Sequence, residues 1–402
     1  MDTSQSGVRR FVIKSTYLFV LPWNIDNPGG VDQVVVNLYR RFLEGGHYQP
    51  QLLVTSWRHS KPGVAIESGL SVVRLRVRSP LADASVLRSL VAWSATLIPE
   101  LRSIAHHLRR NRVAVVNVHF PSLGALQFIL VKRLFMPQLK VILSFHGMDI
   151  VNAATTNGME RRLWRLLLRT ADACVGCSDA LTRAIPEFDA QVKHAVTIRN
   201  GLDIDHFMQE RNAGAVLNER LGPRPFLLSV AALEHKKGLD TLIRAFRQVK
   251  DISATNIALA LVGTERGAGA ELRQLTKELR LDESVVFCGE VPHADLHVYY
   301  KGAMIFCLAS RIEPFGLVLL EAGAFRLPVI ATAVGGIREI LDHGKTGRLV
   351  SVDDATAFAQ EILNLIQAPR ERARLGNMLF NHVSRRFSWG RAYQQYVELC
   401  GP

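Results

Sequence analysis

Several things are scarce in this chain. It holds five cysteines, an odd number with no framework spacing. That excludes a disulfide-stapled scaffold and suits a reducing compartment. No apolar run approaches the roughly 18 residues that a membrane-spanning helix needs. There is no low-complexity linker and no internal repeat, so a solenoid is excluded. Arginines and aromatics do not interleave as in a nucleic-acid-binding surface, so no nucleic-acid partner is expected. Asp203 and Asp205 have the spacing of an Asp-x-Asp metal pair, but a turn after Asn200-Gly201 accounts for both. No metal is therefore predicted. Arg9-Arg10 precede an apolar stretch much as in a signal peptide. Lys14 interrupts that stretch, and Pro22-Trp23-Asn24 offers no small-residue cleavage site, so it reads as a first core strand.

What is present points to large cores. Of 402 residues, 48% are hydrophobic, enough to exclude general disorder, and the length suits two or three domains. The net charge of +13 is unevenly placed. Residues 1–200 hold 25 Lys and Arg against 13 Asp and Glu, whereas residues 201–402 hold 24 and 23. The first half therefore suits an acidic partner, either an anionic membrane surface or a phosphorylated acceptor. A merely soluble basic surface gives the same count.

The chain alternates short apolar runs with amphipathic ones. Strands are predicted at Phe11–Leu21, Gln51–Ser56, Val72–Val77, Val113–His119, Val141–Phe145, Ala173–Cys177 and Val196–Ile198. Ser85–Arg110 reads as a long helix and Trp389–Leu399 as a last one. From Pro225 the rhythm restarts, with strands near 226–230, 257–262, 285–287, 304–308 and 328–331. Strands alternating with helices imply doubly wound parallel sheets, so the expected fold is α/β, with two Rossmann-like halves facing across a cleft. The division falls near residues 200–222.

Glu313 to Glu321 is the densest stretch. Two carboxylates flank a turn, Pro314 and Gly316, and an apolar run that can start a helix. After the strand near 304–308, this predicts strand, turn and helix. The amides of Gly316 and Leu317 would then open at a helix N-terminus, a seat for an anion. Phosphate on the amides and hydroxyls on the carboxylates would suit a phosphorylated sugar. A capped surface helix with a half-buried glutamate fits the same spacing.

Smaller signals surround it. Gly29-Gly30 separate a strand from a helix, and either a tight turn or close ligand approach explains them. His119 and His146 end neighbouring strands, on the sheet edge where open α/β folds bind ligands. Arg161, Arg165 and Arg169 make one basic helical stripe beside Trp164 and several leucines, a pattern found on interfacial helices. Cys174-x-x-Cys177 has redox spacing but lies in a strand rather than at a helix start, so it reads as structural.

Taken together, these motifs resemble the retaining glycosyltransferases of family 4, which have the GT-B fold. The resemblance rests on Glu313…Glu321, Asn200-Gly201-Leu202-Asp203 ahead of Phe207, Lys236-Lys237-Gly238, and Ala333-Val334-Gly335-Gly336 followed by Glu339 and Gly344-Lys345-Thr346-Gly347. The early Gly-Gly loop and His146-Gly147-x-Asp149 fit too. It implies an acceptor domain at 1–202, a nucleotide-sugar domain at 203–382, and a helix at 383–402 that packs back on the first domain. Glu313 would lie by the donor sugar, with Glu321 on the ribose and Lys237 on the diphosphate. The backbone at Phe315, Gly316, Leu317 and Val318 would meet sugar and phosphate, Gly30 would approach the donor, and Gly263 and Val291 would flank the base. His146 would be a catalytic candidate, and His119, His146 and Asp149 would stand on the acceptor side. The donor would be a nucleotide-diphosphate sugar, and no cofactor is implied. The acceptor would be a glycan or lipid-linked hydroxyl, the location cytoplasmic or peripheral on the inner membrane face. A nucleotide-sugar epimerase, or a weakened enzyme that only binds nucleotide sugar, is the alternative. One departure stands out: Ala232 occupies the place of an arginine that relatives carry beside the diphosphate, leaving Lys236 or Arg311 as substitutes.

Overall fold

A computed structural model describes residues 14–24, 29–55, 63–67, 69–81, 85–209 and 217–401. The first lobe is built on β1 (Thr16–Leu21), β2 (Gln49–Val54), β3 (Gly63–Glu67), β4 (Leu70–Arg74), β5 (Val113–His119), β6 (Lys140–Phe145), β7 (Ala173–Gly176) and β8 (Ala195–Thr197), in the order β3-β4-β2-β1-β5-β6-β7-β8. The second is built on β9 (Phe226–Val230), β10 (Ala258–Val262), β11 (Val285–Gly289), β12 (Ile305–Leu308), β13 (Val329–Thr332) and β14 (Arg348–Val350), in the order β11-β10-β9-β12-β13-β14. Within these sheets the edge pair β3–β4 is antiparallel and the other pairs are parallel. Parallel strands covered on both faces need unbroken apolar runs. Thr-Tyr-Leu-Phe-Val-Leu in β1 and Ala-Leu-Ala-Leu-Val in β10 are buried throughout. The α/β reading with two doubly wound lobes is the observed fold.

Boundaries moved where propensity met geometry. The first strand is described from Thr16 onward; Phe11–Ile13 of the predicted run, like Ser56 of the second, lie outside the described residues. The ladder predicted over Val72–Val77 ends at Arg74. Beyond it Glu100, inside the helix Val86–Arg110, takes the Arg78 backbone N–H at 3.2 Å and the Arg76 guanidinium at 3.4 Å. A carboxylate thus replaces the next sheet partner. The edge strand β3 escaped the sequence reading because five residues carry too little alternation to stand out.

The last helix, Trp389–Cys400, lies on the first lobe. Tyr393 meets the Phe42 ring edge-on at 4.8 Å and its hydroxyl sits 2.5 Å from His47 Nδ1. The Tyr396 hydroxyl is 3.0 Å from Ser144 Oγ, which donates to Asn117 Oδ1 at 2.7 Å; Asn117 Nδ2 donates to Tyr17 at 3.0 Å. Buried polar groups linked in this way fix one orientation of the helix, because each would be costly left unpaired.

Candidate active site

The second lobe contributes one wall. β12 ends at Leu308, the chain turns, and Gly316 adopts a left-handed conformation (φ 102°) that starts the helix Leu317–Ala324. Glu313 hangs from the turn. Its Oε2 accepts from Lys237 Nζ at 2.8 Å and from Ser310 Oγ at 3.1 Å. The turn rests on Gly335-Gly336. A Cβ on Gly335 would fall 2.1 Å from the Glu313 carbonyl oxygen, and one on Gly336 2.5 Å from Phe315 Cα. The Gly336 N–H donates to that same Glu313 carbonyl at 3.1 Å. The distant Gly-Gly pair is therefore the floor under the glutamate turn, which explains why these separated motifs occur together.

Glu321 occupies the fifth position of that helix and is almost fully buried. Its Oε2 accepts from the Tyr300 hydroxyl at 2.7 Å, and its Oε1 lies 2.9 Å from His293 Nε2. Neither partner was singled out by sequence. Tyr300 sits in the helix Leu296–Gly302 and His293 opens the 3-10 turn before it, and no spacing links them to Glu321. Burial beside that carboxylate pushes the Tyr300 phenol well above its ordinary range, so it stays protonated and donates to Glu321. Gly263 closes β10, its N–H donating to the Gly289 carbonyl at 2.8 Å, and Val291 precedes His293 in the loop after β11. The Phe315 side chain is buried against Phe387, so only its backbone remains for a ligand.

The first lobe forms the facing wall. His146 follows β6, and Gly147 has φ 138°. A Cβ on Gly147 would lie 2.2 Å from Pro314 Cγ, so this is where the first lobe presses against the glutamate turn. Gly30, at the start of the helix Gly30–Gly45, stands against Leu317, with 3.8 Å from its Cβ position to Leu317 Cδ1. A hollow between the lobes is lined by Gln33, Asn37 and Arg40 from that helix and by His293, Leu317 and Glu321 opposite. Glu339 of the second lobe reaches across to accept the Asp179 N–H at 2.6 Å and the Ala180 N–H at 3.2 Å, capping the helix Asp179–Phe188. Its other oxygen takes Arg199 Nε at 2.9 Å.

Two acceptor-side expectations need correction. His119 is completely buried, with its Nδ1 3.0 Å from His146 Nε2 and the two rings stacked. It reaches the cleft only through His146. Asp149 is buried too: its carboxylate accepts the N–H groups of His146, Gly147 and Ile150 at 2.8–2.9 Å. It is a local clamp on the turn that carries His146. Burial lowers His119 well below the ordinary imidazole range and His146 to about 4, so both rings are neutral near pH 7. Burial raises Asp149 to about 6 against the pull of those amides.

Neither proposed substitute for the missing arginine is free. Arg311 is bidentate to Asp240 at 2.9 and 2.7 Å and also holds Asp353 and the His235 carbonyl. Lys236 pairs with Glu234 at 2.7 Å. Two of the three arginines of the basic stripe are similarly engaged. Arg169 forks onto Asp189, while Arg161 lies 5.0 Å over the Phe188 ring and donates to the carbonyls of Ala154 and Thr156. Burial raises the Cys174 thiol to about 12 and the Cys177 thiol further, which leaves both unreactive. Asp203 caps the helix Ile204–Met208 and pairs with Arg41 at 2.7 Å.

Known proteins match this arrangement. The profile described as Glycosyltransferase Family 4 matches residues 28–206, and that described as Glycosyl transferases group 1 matches residues 218–379. The chain is 25% identical over 302 residues to N-acetyl-alpha-D-glucosaminyl L-malate synthase of Bacillus anthracis, covering 74% of this chain and 76% of that protein. It is 28% identical over 403 residues to D-inositol 3-phosphate glycosyltransferase 1 of Catenulispora acidiphila, covering 94% and 93%. Among solved structures, Anabaena HepE in complex with UDP and glucose superposes with a TM-score of 0.73 at 19% identity, covering 96% and 98%. With one profile on each lobe and a shared architecture end to end, the chain belongs to the family 4 glycosyltransferases of GT-B fold.

Proposed function

We propose that this enzyme transfers a sugar, with retention, from a nucleotide-diphosphate sugar to an acceptor hydroxyl. The donor sits on residues 203–382, the acceptor on residues 1–202, and residues 383–402 tie the two together. The observation that carries this reading is the Lys237–Glu313 pair, 2.8 Å long and only partly exposed, beside an uncapped helix start that faces Gly30 and His146-Gly147. The Lys237 ammonium is paired with the Glu313 carboxylate. An arriving diphosphate would take Lys237 and the amides of Gly316 to Val318, which frees Glu313 to meet the sugar. Glu321 takes the ribose hydroxyls, and Gly263 and Val291 flank the base. His146, steadied by His119, contacts sugar or acceptor as a neutral ring. Charge neutralisation is assigned to Lys237 and the amides rather than to a metal ion.

Support for the donor comes from HepE, whose structure holds UDP and glucose, and for a polar acceptor from the inositol 3-phosphate relative. The basic first lobe suits a phosphorylated or lipid-linked acceptor. A panel of UDP-, GDP- and ADP-sugars with polyol-phosphate and lipid-linked acceptors tests this. Released nucleoside diphosphate, with a product of unchanged anomeric configuration by NMR, is the expected result. Inversion, release that requires no acceptor, or loss of turnover with EDTA would each refute part of it.

A further inference from the structure

Two histidines meet behind the first-lobe wall. His119 closes β5 and is completely buried. His146 follows β6, the neighbouring strand, and is only partly buried. One hydrogen bond joins them, between His119 Nδ1 and His146 Nε2 at 3.0 Å. Only one of these facing nitrogens can carry the proton. Burial pulls both rings below the ordinary imidazole range, so each is neutral near pH 7 and holds a single ring proton. Two arrangements remain: His119 donates to His146, or His146 donates to His119. In a neutral imidazole the bond made by one nitrogen decides what the other can do.

The far side of His119 separates the two. Its Nε2 is buried and meets no hydrogen-bond partner among the described residues. If His146 donated, the His119 proton would sit on this Nε2, an N–H shut in the core with no acceptor. The surrounding rings do not take it. Phe19 lies 5.7 Å away at a tilt of 31°, and Tyr396 6.4 Å away at 47°. An N–H aimed at a ring face needs planes closer to perpendicular. If His119 donated from Nδ1, Nε2 would keep only a lone pair. A buried N–H without an acceptor is the rarer fault in folded cores. The consequence falls on His146. With its Nε2 accepting, its proton stands on Nδ1, which has no partner among the described residues. The nearby Asp149 carboxylate is taken up by the amides of His146, Gly147 and Ile150.

We infer that His119 is a positioning residue that sets the tautomer of His146, so that His146 offers the cleft an N–H at Nδ1 rather than a lone pair. His146 then meets an oxygen that accepts, on a hydroxyl or a phosphate, and does not take the proton of the attacking hydroxyl. Which oxygen it meets rests on the glycosyl-transfer reading; the tautomer does not. Long-range proton–nitrogen NMR on the full chain, with isotope-labelled histidine nitrogens, tells the protonated nitrogen of each ring from the bare one. The two rings are identified by the signals lost in His119→Asn and His146→Gln. Protonated Nδ1 and bare Nε2 are expected in both. His119→Phe keeps a ring but no donor, and should release His146 into a mixture of tautomers. His119→Asn, whose amide N–H can stand in for Nδ1–H, should hold it on Nδ1. For sugar transfer, kcat/KM should fall about tenfold in His119→Phe and less than about threefold in His119→Asn, the worth of one hydrogen bond. The melting shift caused by UDP, required to match wild type, shows that each variant is folded. A wild-type His146 protonated on Nε2 would overturn the inference by itself, whether or not the variants fold. So would an unchanged His146 tautomer in His119→Phe, or equal losses of transfer in both variants. The expected wild-type tautomer without transfer from any donor would support this assignment and refute the reading of the site.

Discussion

The two walls of the cleft handle their polar groups in opposite ways. On the second-lobe wall, Lys237 and Glu313 hold each other at the surface of the cleft, where a ligand can separate them. On the first-lobe wall, Asp149 is saturated by three backbone amides and His119 is sealed behind His146. One wall keeps charge available; the other uses its charge and dipoles to hold a single neutral ring in place. The lesson is that recognisable residue types at a cleft edge divide into those that meet a ligand and those that fix the ones that do.

That contrast predicts where damage will appear. Lys237→Ala should lower kcat by two to three orders of magnitude, about 2.7–4 kcal/mol of lost stabilisation of the leaving diphosphate, with little change in melting temperature. Full activity would show that the second wall does not supply the leaving-group charge. Gly147→Val should come next. It adds a side chain where Pro314 already lies and asks a β-branched residue to hold φ 138°. Turnover should fall steeply, and small-angle scattering should show the lobes farther apart; an unchanged scattering profile with normal activity would contradict the contact. Glu339→Gln keeps the shape but removes the charge facing Arg199. A loss of about 1–3 kcal/mol is expected in urea titration, and Arg199→Gln should add little to it.

The pH dependence tests the first wall, and its sign can be worked out. His119 and His146 have native pKa values below that of a free imidazole, so the unfolded chain protonates first as pH falls. Stability is therefore lost from about pH 6.5 down toward 4. Asp149, raised to about 6, protonates first in the native state and returns part of that loss between pH 6 and 4. Asp149→Asn should therefore steepen the fall in melting temperature with acid, and His146→Gln should flatten it. Parallel curves for wild type and both variants would remove the basis for the neutral-ring wall.

Legibility in the sequence followed the same division. The fold was readable because parallel strands buried on both faces leave continuous apolar runs, and the restart of the rhythm at Pro225 marked the second sheet. On the donor side the resemblance marked Glu313, Lys237 and Gly335-Gly336, and the structure sets Lys237 beside Glu313 with the turn packed on the two glycines. His293 and Tyr300 went unmarked, because their meeting with Glu321 is a product of helix packing rather than of sequence distance. The engagement of Arg161, Arg169 and Arg311 was equally hidden: a basic stripe looks the same whether its partners are lipids or carboxylates from the same lobe. For Ala232, the two nearest cations in sequence, Lys236 and Arg311, are both held by carboxylates.

The helix Trp389–Cys400 carries a consequence for how the molecule is made. It follows the entire second lobe in the chain yet covers the sheet of the first, keyed by Tyr396 to Ser144 and by Tyr393 to His47. During synthesis the first lobe must therefore wait, with the faces of Phe42 and Tyr17 open, until its partner has left the ribosome. A truncation within this helix would strike the half of the protein that was translated earliest.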